Sequence, residues 1–178
     1  MSTAAHSRYS TVAIFLHWLI ALLIIANLVG GLTHEIWTES ADAADKAFGL
    51  QIMLWHKAVG VLVLALSLVR LGWRLANPAP ALPAHMKGWE RGLSIGTHHL
   101  FYVLMIAVPL TGWVMVSVYP TDVPFPFPFF GLFELPYLPL GHSKPLAEAF
   151  GEAHELLAFG TIGLLVLHVA AALKHHLI

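Results

Sequence analysis

The residues with the clearest chemistry are histidines. The chain has 12 of them, with 6 tryptophans and no cysteine, in 178 residues. Four histidines fall in long stretches almost free of Asp, Glu, Lys and Arg. His17 lies about six residues into the first stretch and His56 about eight into the second. His154 and His168 share the fourth stretch, 14 residues apart. On an α-helix, 14 residues return to within ~40° of the same face and advance by ~21 Å. One helix thus presents a histidine at each of two depths; His56 matches one depth and His17 the other. A histidine inside an apolar span is costly unless it is satisfied. Two imidazoles facing each other across a helix bundle are what axial ligation of a haem iron requires. Zinc would need three or four converging ligands, and no HExxH is present. A proton relay ordinarily includes an intramembrane acid, which these stretches lack below the surface. The plainer alternative is a set of core histidines hydrogen-bonded to neighbouring helices.

Other residues fill in this pattern. The stripe between His154 and His168 carries Ala158, Thr161 and Leu165, small or apolar residues that flank rings well. Gly60 is one turn from His56, and Gly30-Gly31 and Gly160/Gly163 allow close approach of helices or a cofactor. Pro109 with Gly112 predicts a kink in the third span and a freed carbonyl that a neighbour must cover. His98-His99 open the third span, and Lys174, His175 and His176 end the fourth on the same side. Solvation at the interface accounts for them; lining for a quinone head group or its proton path is the functional alternative. His6, His34, His85 and His142 read as loop residues.

The elements that carry these side chains follow from composition. Hydrophobic residues make up 58% of the chain, charged residues 11%, and mean hydropathy is +0.75. A water-soluble domain needs more charge than this. Four stretches, approximately 11–33, 48–73, 93–118 and 147–174, are each long enough to cross a hydrocarbon core of about 30 Å. The expected fold is an all-α four-helix transmembrane bundle, one membrane-embedded domain over 1–178. No ten-residue alternation supports a barrel. The first stretch is too long for a signal peptide and no small-residue cleavage site follows it. Residues 34–47 read as a short helix or turn, and 76–92, with Pro78, Pro80 and Pro83, as an extended crossing. Residues 119–145 are too rich in proline for helix or central strand, and read as an aromatic interfacial plug or a lid over a cofactor.

Charge sets the expected orientation. One side receives Arg8, Arg70, Arg74, Lys87, Arg91 and Lys174 with a single acid, Glu90. The other receives Lys46, Lys57 and Lys144 against Glu35, Glu39, Asp42, Asp45, Asp122, Glu134, Glu148, Glu152 and Glu155. Six bases against three place both termini in the cytoplasm. Absence of cysteine excludes disulfides, Cys-ligated zinc, iron–sulfur clusters and covalent c-type haem. A net charge of −1 gives no bias toward nucleic acid.

The ordered segments Tyr9-Ser10 through Leu16-His17-Trp18-Leu19, Trp55-His56-Lys57-Ala58-Val59-Gly60 through Arg70-Leu71-Gly72-Trp73-Arg74, His98 through Pro109-Leu110-Thr111-Gly112, and His154-Glu155-Leu156-Leu157-Ala158 through His168 to Lys174-His175-His176 resemble the bacterial cytochrome b561 family. They are also similar to the cytochrome b subunits of nickel–iron hydrogenases. The resemblance covers all four spans. It implies a multi-pass protein of the bacterial inner membrane, embedded in lipid. It further implies two non-covalent b haems, held by His17 with His168 on the inner side and His56 with His154 on the outer, exchanging electrons with ubiquinone. It makes superoxide oxidation coupled to ubiquinone reduction the leading oxidoreductase activity. On that reading Lys57, beside His56, meets a haem propionate, and His98, Arg74, Lys174 and His175 line the quinone or substrate site. Two other classes stay open: a cytochrome subunit serving a partner dehydrogenase or hydrogenase, and a haem-free transporter or scaffold. The long Phe/Pro loop at 119–145 departs from the family pattern.

Overall fold

The computed structural model describes residues 8–80, 86–120 and 126–177. His6, His85, Asp122 and the Pro124-Phe125 step lie outside these residues. Four long helices make the body: α1 (Thr11–Thr38), α2 (Ala43–Ala76), α3 (Gly88–Val118) and α4 (Lys144–Leu177). All four are long and apolar enough to cross a membrane. Between α3 and α4 a two-residue hairpin forms, β1 (Pro128–Phe129) with β2 (Phe133–Glu134), in antiparallel register Pro128 to Glu134. We use "inner" for the end where α1 starts and α4 ends, and "outer" for the opposite end.

The helices run past the predicted spans, chiefly at the outer end, where α1 continues to Thr38 and α2 begins at Ala43. Polar residues end them at specific caps. Ser10 Oγ accepts from the Ala13 amide, and Asp42 accepts from the amides of Ala44 and Asp45, which satisfies donors that helix starts leave free. At α3 the Lys87 amide donates to the Glu90 carboxylate. The predicted connection at 34–47 therefore shrinks to the turn after Thr38. The 119–145 connection, expected to hold no helix or central strand, carries one short two-stranded hairpin, with Phe130 and Gly131 at positive φ making its turn.

Packing is inside out relative to a soluble bundle. On α1 the residues Trp18, Leu22, Ile25, Val29, Leu32 and Ile36 recur at helical spacing and are all exposed. A continuous apolar stripe of that length belongs against lipid. The opposite face of α1 buries Leu16 and Ile20, and Ile20 meets Val63 of α2 and Met105 of α3 at the centre of the bundle. α1 packs most extensively on α2, and α3 on α4. A core of aliphatic residues thus separates the inner end of the bundle from the outer.

Candidate functional site

At the outer level, α2 brings His56 and α4 brings His154 to ring centroids 6.0 Å apart, with planes at 84°. Each ring is pinned by a backbone carbonyl from a third and fourth element. His56 Nδ1 lies 3.0 Å from the Asn27 carbonyl of α1, and His154 Nδ1 lies 2.9 Å from the Val108 carbonyl of α3. A carbonyl only accepts, so both rings carry their proton on Nδ1 and keep Nε2 as the free, metal-competent nitrogen. Thr111 Oγ1 also donates to the Val108 carbonyl and lies 3.3 Å from His154 Nδ1. Val108 precedes the helix-interior Pro109, but the carbonyl that the proline leaves without its helical donor is that of Met105, four residues back; the carbonyl that α4 bonds is Val108's.

Two glycines make room for these rings. A Cβ on Gly31 would stand 2.8 Å from His56 Cε1, and one on Gly112 would stand 3.0 Å from His154 Cε1. Gly160 and Gly163, expected to admit a neighbour, have no atom within 4 Å of such a Cβ. Both are exposed, and no neighbouring helix comes close to them. Thr161, between them, is buried and donates to its own helix at Leu157.

At the inner level, His17 of α1 and His168 of α4 have ring centroids 6.3 Å apart, at 70°. His98 of α3 joins them, 5.7 Å from His168, and Phe101 packs edge-on against His168 at 5.2 Å. His98 Nδ1 is bonded to Ser94 of its own helix. Among the described residues no hydrogen bond holds the rings of His17 or His168. Arg70 of α2 is half-buried here; its guanidinium sits over the Tyr102 ring at 5.6 Å and acts electrostatically on both His17 and His168. Among the described residues the one ion pair is Lys144 with Glu148, so Arg70 has no carboxylate partner there.

Two metal–imidazole bonds of about 2 Å, plus about 1.1 Å from nitrogen to ring centre at each end, would separate the centroids of two imidazoles sharing one iron by ~6.2 Å. Both pairs have that spacing. Among the described residues no cluster of three or more His, Asp or Glu forms a metal cage. Each level therefore brings two imidazoles face to face rather than a cage of three or four ligands.

The remaining expected site residues are more scattered. Lys57 Nζ donates to the Pro126 carbonyl at 2.6 Å and lies 5.6 Å from the Phe127 ring centre. Arg74 and Lys174 are exposed at helix ends, and nothing is described of the His175 side chain. An open apolar groove of about 560 Å³ is lined by Trp89, Leu93, Thr97 and Leu100 of α3 and Leu164 of α4, not by the basic residues expected. Asn27, Val108 and Thr111 escaped the sequence reading of the site, which gave Arg70 only as inner-side positive charge beside Arg74. For the first two the contact is a main-chain carbonyl, which has no residue signature; Arg70 lies one turn deeper than the Arg74 that sequence favoured.

Comparison with known proteins gives the family of the chain. The family model described as prokaryotic cytochrome b561 matches residues 8–178. The chain is 28% identical over 177 residues to cytochrome b561 homolog 2 of Escherichia coli (strain K12), covering 99% of this chain and 88% of that one. It is 27% identical over 173 residues to the probable superoxide oxidase CybB of Yersinia pestis, covering 96% and 90%. A 106-residue match at 34% identity to cytochrome b562 of Cereibacter sphaeroides covers 58% and 63%. With its four membrane-capable helices and its family match over nearly the whole length, the chain belongs to the prokaryotic cytochrome b561 family, haem b proteins of the bacterial inner membrane.

Proposed function

We propose that this chain is a dihaem cytochrome that moves electrons across the membrane, with His17 and His168 holding the inner iron and His56 and His154 the outer. The observation that carries this reading is the pair spacing: 6.3 Å at one level and 6.0 Å at the other. Haem b, held by these histidines, would supply a one-electron centre suited to outer-sphere transfer. The chain's own residues do the rest. The Asn27 and Val108 carbonyls fix the tautomer and orientation of the outer rings. The Ile20, Val63 and Met105 core keeps water from the path between levels. Arg70 provides an uncompensated cation beside the inner pair, where a propionate carboxylate would meet it.

The leading reaction is superoxide oxidation with ubiquinone reduction. Two superoxide anions each give up one electron to become dioxygen, and one quinone takes up two electrons and two protons. Support comes from the name of the Yersinia relative. Quinone fits the inner end, where the apolar groove reaches Leu164, one turn before His168, and His98 offers a titratable ring beside that ligand. With both termini in the cytoplasm, as the bases indicate, quinol forms on the cytoplasmic side.

The experiment is a haem count by level. Purified protein should hold about two haems per chain, extractable in acid acetone because no cysteine tethers them. His154→Ala should lose the outer haem and His17→Ala the inner one, each leaving the other, while His98→Ala keeps both. One haem in the unaltered protein, or loss of the inner haem from His98→Ala, would contradict the assignment. A superoxide–ubiquinone assay on the same preparation then tests the reaction.

A further inference from the structure

The described part of the α3–α4 connection does not trail over the membrane surface; it folds back across the outer mouth of the bundle. Phe127 is its plug. The ring is 3% exposed and packs against Trp113 at 6.2 Å and Tyr137 at 6.2 Å. The hairpin behind Phe127 is closed by its own bonds. The Phe127 amide donates to the Glu134 carboxylate at 2.9 Å, and the Leu135 amide to the Phe127 carbonyl at 2.8 Å.

The anchors of this segment divide unevenly. Trp113 Nε1 donates to the Pro136 carbonyl, the Leu138 amide to Ser117 Oγ, and His142 Nδ1 lies 2.9 Å from the Tyr119 carbonyl. All of these tie the loop to α3 or its end, the element it grows from. Among the described residues, the hydrogen bond that reaches across to α2 is the one from Lys57 to the Pro126 carbonyl, with the Phe127 ring beneath the ammonium. A lone ammonium near helical depth is costly; a carbonyl and an aromatic face satisfy it, with the Glu134 carboxylate of the same hairpin in electrostatic reach. Lys57 and Trp113 directly follow His56 and Gly112, the residues that line the outer pair. The two helices that grip the loop thus do so beside the outer histidines.

We propose that the 126–134 hairpin is a cap, plugged by Phe127 and clamped to α2 by Lys57, which bars bulky water-soluble redox partners from the outer His56–His154 pair. Lys57 and Phe127 then select the partner of the outer level by excluding hydrophilic complexes, and Lys57 serves the loop rather than a propionate. The proposal rests on the reading of that pair as a haem site.

The test has two readouts. The first needs no haem: amide hydrogen exchange in the purified full chain. Lys57→Met should speed exchange at Phe127 and Leu135 at least tenfold and leave Leu138, anchored on α3, unchanged; Lys57→Arg should restore protection. The second is oxidation of the dithionite-reduced protein by hexacyanoferrate(III), followed by stopped flow. Lys57→Met and Phe127→Ala should each speed the outer-level phase about tenfold. The sign is informative, because removing a positive charge slows a trianion by electrostatics alone. Unchanged exchange in Lys57→Met overturns the clamp, and faster exchange without faster oxidation overturns the shielding. A haem count other than two in the unaltered protein overturns the dihaem reading instead, while the exchange result still decides the clamp.

Discussion

At the residue scale, the outer pair depends on groups that are small or main-chain. Gly31 meets His56 more tightly than Gly112 meets His154, by the 2.8 and 3.0 Å approaches of an added Cβ. His56 is held by the Asn27 carbonyl and has little freedom to move aside. Gly31→Ala should therefore displace the ring and cut outer-level haem occupancy by at least half, with Gly112→Ala milder; haem content per chain and a redox titration check the order. Arg70 makes a second residue-scale case. A cation near a redox centre favours its reduced state. Arg70→Gln should lower the inner midpoint potential by on the order of 50 mV, the equivalent of about 1 kcal/mol for one partly screened charge. Arg74→Gln, at an exposed position, should move it far less. Equal shifts in a spectroelectrochemical titration would put the two arginines on the same footing and remove Arg70 from the inner site.

At the element scale, the helices owe their lengths to caps and their seating to close contacts. The turn between α1 and α2 closes where Gly49 lies against Thr38. An added Cβ there would stand 2.7 Å from Thr38 Cγ2 and 2.8 Å from its backbone nitrogen. Backbone cannot yield as a flexible side chain does. Gly49→Ala should cost about 1–3 kcal/mol, as overpacking does, and lower the thermal midpoint by several degrees. Gly72→Ala is the control: nothing lies within 4 Å of its added Cβ, and alanine is the better helix former, so that midpoint should hold or rise. A matched fall in both variants would mean that the α1–α2 contact is not the cause.

At the scale of the whole molecule, lipid-facing stripes and an aliphatic centre make the four helices a bundle for a membrane, and the excess of bases at the inner end predicts which way it points. The absence of native cysteine allows a direct test of orientation. Ala41→Cys lies on the exposed turn after α1 and Asn77→Cys on the exposed end of α2. In intact cells a maleimide that does not cross the inner membrane should label Ala41→Cys, and should label Asn77→Cys only after permeabilisation. The reverse pattern would invert the molecule and move the proposed quinone end to the outside.

Much of this architecture is legible in the chain itself. Long charge-free stretches must cross lipid because burying charge there is too costly, and the 14-residue interval between His154 and His168 must put two rings on one face at two depths because a helix is regular. Local chemistry also fixed the caps at Ser10 and Asp42; the first span read from hydropathy begins at Ser10's cap, while the second stops short of Asp42, since polar turns extend a helix beyond the bilayer. What the tertiary structure decided are the partners. That His56 bonds to the Asn27 carbonyl and His154 to that of Val108 depends on how helices rotate against each other, and a carbonyl looks the same at every residue. Arg70 and Arg74 share a helix face and differ by one turn of depth, which hydropathy cannot resolve and the position of Tyr102 does. Lys57 shows the limit most clearly: its charge demanded a partner, but the choice fell to a loop carbonyl 69 residues away, because the chain between brings Phe127 and Pro126 back over the bundle.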